Sequence, residues 1–167
     1  MNQTIAVVFG TFAPMHKGHL DLIERAKLAC GQVCVVVSGY DRDRGDLIGL
    51  DLLTRFGAIQ SQFEGDDFVE VRALDETDLP PYPDGWDLWL ERLLGLLDLS
   101  EHQVPVFYVS EEEYAQELHS RGYQAHFSPR KATLIREQPQ QYQDYIAPAF
   151  LAFFWKGKTV KQHRKNA

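Results

Sequence analysis

The chain has little sulfur chemistry to draw on: two cysteines, Cys30 and Cys34, in 167 residues. So few thiols cannot staple a secreted scaffold. The three residues between them match neither a CxxC redox pair nor a zinc pair, so reduced, packed thiols in a cytoplasmic protein are expected. Long hydrophobic runs are also missing. The first apolar stretch stops after a few residues and has no basic leader, and none approaches membrane-spanning length, which argues against a secretion signal and a membrane partner. Basic charge is scarce too, with a net charge of −7. Lys156, Lys158, Lys161, Arg164 and Lys165 cluster near the end without an acid, leaving 12 of the 17 basic groups to face all 24 acidic ones in the body. An acidic body argues against nucleic acid as the main partner. The basic stretch 156–167 reads as a solvated tail behind a single domain over 1–155. Its Gly157-Lys158-Thr159 resembles the end of a P-loop, but Ala152 stands where that pattern needs glycine. Internal repeats and low-complexity segments are lacking as well.

What is present is enough apolar material for a full core, 44% of the chain. Residues 4–9 form a short β-branched run that reads as a buried strand, and from Lys17 the spacing of Leu20, Ile23 and Ala26 is helical. The alternation continues. Strands are expected at 33–38, 68–73, 104–109 and 123–127, with a helix carrying Leu50, Leu53, Phe56, Ile59 and Phe63, others at 86–97 and 111–121, and a helical C-terminus. Such βα repetition implies an α/β fold: a doubly wound, five-stranded parallel sheet with helices on both faces and right-handed crossovers. Ligands then belong at the carboxyl ends of the strands, beside the topological switch point.

The stretch from Gly10 to His19, Gly-Thr-Phe-Ala-Pro-Met-His-Lys-Gly-His, falls at such a strand end. Gly10 and Gly18 let a ligand approach the backbone closely, Pro14 fixes the turn, and free amide N–H groups at the following helix can face an anion. His16 and His19, three apart, share a side and can donate ring N–H bonds to phosphate oxygens. The alternative is a corner whose histidines merely cap the helix. Zinc fits poorly, because the pattern is not HExxH and no third ligand stands at a recognisable spacing.

Three further segments fall at strand ends. Ser38 to Gly45 is a polar loop whose Arg42 and Arg44 can grip phosphate or carboxylate, or simply be solvated. Leu79 to Trp89 is a proline-stiffened loop with Trp86 and Trp89 three apart at a helix start. One tryptophan can face the cleft while the other packs inward, and an indole face suits a cationic aromatic ring such as nicotinamide. In Tyr108-Val109-Ser110-Glu111, Ser110 reads as the N-cap of the next helix, with Glu113 at the capping-box position.

The ten-residue stretch matches every fixed position of Gly-x-Phe-x-Pro-x-His-x-Gly-His and so resembles the signature of the nucleotidylyltransferase superfamily. The Pro-Tyr-Pro-Asp-Gly-Trp-Asp-Leu-Trp stretch, Tyr-Val-Ser-Glu-Glu, and the segment from Ile135 to Ile146 are similar to the nicotinamide mononucleotide (NMN) adenylyltransferase half of NadR-type proteins, over roughly residues 4–155. The resemblance implies a Rossmann-like sheet and a reaction in which NMN and ATP give NAD and pyrophosphate, with Mg²⁺ carried by ATP and no dedicated metal site. It implies His16, His19 and Arg136 as catalytic residues. It implies Gly10, Thr11, Phe12, Lys17, Gly18, Ser110, Glu111 and Lys131 around ATP, and Tyr40, Arg44, Trp86 and Trp89 around NMN. In that family a ribosylnicotinamide kinase domain commonly follows; this chain stops where it would begin, so kinase activity is expected to be absent.

One segment departs from the family pattern. Where a Ser or Thr usually stands four to five residues before an Ile-Arg pair, aligning Ile135-Arg136 puts Lys131. Lys131 then acts as a charged phosphate clamp, or Ser128 or Thr133 supplies the hydroxyl, or triphosphate binding is impaired. Two alternatives to NMN adenylylation therefore stay open: another enzyme of the HxGH type, such as phosphopantetheine adenylyltransferase or a small cytidylyltransferase, and a catalytically silent NMN or NAD sensor. A homo-oligomer is compatible with the sequence, which does not fix the oligomeric state.

Overall fold

In the computed structural model, which describes residues 3–81, 83–128, 146–151 and 153, strands and helices alternate in the order that the apolar patterns predict. The strands are β1 (Gln3–Gly10), β2 (Val33–Gly39), β3 (Val69–Asp75), β4 (Gln103–Val109) and β5 (Gln124–Phe127). The helices are α1 (Lys17–Cys30), α2 (Leu52–Gln62), α3 (Trp86–Leu97) and α4 (Glu112–Ser120), and a short 3-10 turn, Asp46–Ile48, precedes α2. All four strand pairings are parallel, in the order β3-β2-β1-β4-β5. This is the Rossmann-like, doubly wound sheet.

The unbroken apolar runs of β1 and β2 are the signature of strands covered on both faces. Alternate residues feed two cores. Ala6, Val8, Val35 and Val37 pack with Leu22, Ile23, Ala58 and Ile59 under α1 and α2. Val7, Phe9, Cys34 and Val36 pack with Leu90, Leu93, Ala115 and Leu118 under α3 and α4. Residues Ile146, Ala147 and Phe150 complete the first core. The chain runs from β1 to β2 on one side and resumes at β4 on the other, so the carboxyl ends of β1 and β4 flank the switch point.

Two expectations change. The buried side of α2 is Arg55, Ala58 and Ile59, while Leu53 is 74% exposed. An arginine replaces an aliphatic there because its charge is cancelled in place by Asp43, a partner twelve positions away on a loop. The N-cap of α4 is Glu111 rather than Ser110 and makes no side-chain cap bond, because the chain stays extended one residue longer before turning helical. The cysteines form no disulfide; Cys34 is buried in β2, and its burial pushes the thiol up to about 11.

Candidate functional site

At the end of β1 the chain turns through Phe12, at φ 51°, and a cis Ala13–Pro14 bond to reach His16, the N-cap of α1. A helix start leaves backbone N–H groups to satisfy, and here two imidazoles satisfy them. The Gly18 N–H donates to His16 Nδ1 at 3.1 Å, and the His16 N–H donates to His19 Nδ1 at 3.1 Å. A neutral ring that accepts at Nδ1 carries its proton on Nε2. Both rings therefore present Nε2–H as their donor, stacked with centroids 3.9 Å apart. The Phe12 ring meets His19 edge-on at 4.8 Å. From the C-terminal side, the Ala147 N–H donates to the Met15 carbonyl at 2.8 Å, pinning residues 146–151 against the turn. Capping and anion donation are thus compatible roles for one pair of histidines.

A cleft of about 530 Å³ opens at the carboxyl ends of the strands. That volume suits a nucleotide-sized ligand. The end of β1 and the turn after it contribute Gly10, Thr11 and Phe12, and α1 contributes His19; Ser110 and Glu111 follow β4; the loop after β2 contributes Tyr40 and Arg44; Trp86 and Trp89 close it from α3. Ten of the sequence-predicted residues therefore meet in one cavity. His16 lies behind His19 at 1% exposure, and neither Lys17 nor Gly18 lines the cleft. Arg136, Lys131 and Thr133 lie outside the described residues. The Ser128 N–H donates to the Val109 carbonyl at 2.9 Å, so Ser128 sits at the end of β4. Trp86 and Trp89 both line the cleft, with Trp86 only 5% exposed and Trp89 set edge-on to Phe9 at 4.8 Å.

Three charged groups here were not anticipated as site residues. Arg55 reaches under the loop after β2 and forks onto Asp43, Nη1 to Oδ1 at 3.1 Å and Nη2 to Oδ2 at 2.8 Å. The same carboxylate accepts from the Tyr40 and Asp46 N–H groups. Burial pushes the Asp43 carboxyl up, but Arg55 and these backbone donors outweigh it and hold it below the ordinary 3.8. A Cβ on either Gly39 or Gly45 would overlap the guanidinium, so both positions must stay bare. The third group, Glu76, lines the cleft just beyond β3, as Trp89 does. Burial, and next the Asp43 charge, hold it above the ordinary 4.5. The residue spacing that reveals a glycine-rich turn gives no sign of such pairings between separate elements.

Comparison with known proteins agrees with the motif. The cytidylyltransferase-like family model matches residues 7–54. Over 170 residues and 91% of the chain, 31% of positions are identical to the trifunctional NAD biosynthesis/regulator protein NadR of Escherichia coli (strain K12). The chain is thus similar to the nucleotidylyltransferase superfamily. Within it the similarity runs to NadR proteins, although the chain spans only 41% of that relative's length. A solved NadR structure in complex with NR superposes with a TM-score of 0.83 at 40% identity, over 92% of this chain and 46% of that one. Another, with NAD and AMP-PNP, gives 0.75 at 39% identity, over 89% and 46%. Among the described residues no helix is long and apolar enough to cross a membrane, and no group of three or more His, Cys, Asp or Glu is placed to hold a metal ion.

Proposed function

We propose that this chain is an NMN adenylyltransferase, joining NMN to ATP to give NAD and pyrophosphate. The observation that carries the reading is the histidine pair at the switch point, with Nε2 as each ring's donor and His19 on the wall of a nucleotide-sized cleft. The NadR similarity, and the NR, NAD and AMP-PNP bound to those neighbours, support nucleotides as the ligands.

In the reaction, a 5′-phosphate oxygen of NMN attacks the α-phosphorus of ATP in line. The bond from that phosphorus to the bridging oxygen breaks, and pyrophosphate leaves with the electron pair. No covalent enzyme intermediate is needed; catalysis is a matter of alignment and of charge neutralisation. His19 donates to phosphate oxygens as their charge grows, and His16, stacked behind it, holds that ring in place. Arg136 and Lys131 neutralise the pyrophosphate. The tryptophans offer π surface to the nicotinamide ring, while Tyr40 and Arg44 hold the mononucleotide from the loop after β2. Mg²⁺ arrives as part of the MgATP substrate, in keeping with its preference for phosphate and water ligands.

Pyrophosphate release tests the reading when the protein is incubated with MgATP and, separately, NMN, nicotinic acid mononucleotide, phosphopantetheine and glycerol phosphate. Turnover with a pyridine mononucleotide is expected. Turnover with phosphopantetheine or glycerol phosphate alone would reassign the enzyme, and NMN binding without turnover would make it a sensor.

A further inference from the structure

The cleft contains a carboxylate that phosphoryl transfer does not use. Glu76 is the first residue beyond β3, and its backbone N–H is tied to the Gly39 carbonyl at 2.8 Å, so the side chain starts from a fixed point. It lines the cleft together with Trp86 and Trp89. Its carboxylate is acceptor-only when ionised, with lone pairs available to a ligand in the cleft. Its neighbour Asp43 is matched by Arg55. Among the described residues no lysine, arginine or histidine forms a salt bridge with Glu76. A half-buried, acceptor-only group is costly to keep without a hydrogen-bond donor, so this wall suits a ligand that brings one.

A pyridine mononucleotide carries either a carboxamide, with two N–H donors, or a carboxylate, with none. Beside Glu76 the first completes a hydrogen bond, whereas the second brings like charges together in a partly dry cleft. We propose that Glu76 is a specificity-determining residue that selects the carboxamide-bearing mononucleotide over its carboxylate analogue. The proposal rests on the adenylyltransferase reading for the identity of the ligand, but it concerns binding and does not require turnover.

The experiment titrates the full chain with NMN and with nicotinic acid mononucleotide, read by tryptophan fluorescence, for wild type, Glu76→Gln and Glu76→Asp. Wild type is expected to bind NMN about tenfold tighter or more. Glu76→Gln has a donor as well as an acceptor, so the preference should fall by about tenfold, mainly through gained affinity for the acid. Glu76→Asp keeps the charge and should keep the preference for the amide, even if weakened. A thermal melt of each variant checks folding, and glutamine keeps the size and shape of the side chain. An affinity ratio unchanged in Glu76→Gln overturns the proposal, as does absence of binding by either mononucleotide. A ratio that shifts as expected while wild type releases no pyrophosphate upholds Glu76 and overturns the adenylyltransferase reading.

Discussion

An imidazole that accepts a backbone N–H at Nδ1 keeps a single donor, and that constraint gives His19 two separable roles. On the proposed reaction, His19→Ala should lower kcat by about 10²-fold, the loss typical of one electrostatic donor. Its structural share is a helix cap, worth about 1 kcal/mol, so a thermal melt should show a folded protein. Near-normal turnover in both His16→Ala and His19→Ala would remove the mechanism. The tryptophans divide differently. Trp86, 5% exposed and packed in the core under α3, should cost about 3–5 kcal/mol when truncated to alanine. Trp89→Ala should instead raise KM for NMN and leave KM for ATP unchanged, checked by steady-state kinetics in both substrates. At this scale the sequence disclosed the histidines and tryptophans, because they sit on a fixed local pattern. It did not disclose Glu76, which reaches the cleft from beyond β3, or Arg55, whose role depends on Asp43 on a separate element.

The loop between β2 and α2 shows how one element is held by another. Its Asp43 accepts two backbone N–H groups from its own turn and a forked pair of bonds from Arg55 on α2, so the guanidinium fixes the loop bearing Tyr40 and Arg44. Arg55→Ala leaves a buried carboxylate unpaired and should destabilise by about 3–5 kcal/mol. Arg55→Lys keeps the charge without the fork, so it should lose less stability while raising KM for NMN through the loosened loop. Chemical denaturation and kinetics measure the two effects. Because the Asp43 carboxyl is lowered when folded, its contribution is fully present at neutral pH. It is lost only as pH falls below the ordinary 3.8 and through the lowered folded value. The stability gap between wild type and Asp43→Asn should therefore stay constant down to that pH and close below it. Elements were the most legible level of the sequence: α3 has the expected bounds, and no strand end differs by more than two residues. Around α2, Leu50 and Ile59 are buried and Phe56 and Phe63 pack against the core as their spacing implies; only Leu53 turns outward, and the buried Arg55 went unseen because hydrophobic spacing cannot reveal an arginine neutralised by a distant aspartate.

For the molecule as a whole, five parallel strands with two cores bring the ends of β1 and β4 together, and the cleft follows from that reversal of direction. Unbroken β-branched runs separated by helical spacing made this architecture legible. The cleft's composition was legible in part, since ten expected residues line it. The departure at Lys131 lies outside the described residues, so binding measurements test the triphosphate side of the site. Lys131→Ala should weaken MgATP binding in calorimetric titration, and Lys131→Ser should restore part of it; identical affinities would exclude the clamp. The most direct test of the central claim is pyrophosphate release by the purified chain in MgATP and NMN. The account predicts pyrophosphate and NAD formed in equal amounts, with turnover reduced about 10²-fold in His19→Ala. Saturable binding of both nucleotides with no pyrophosphate formed would contradict it.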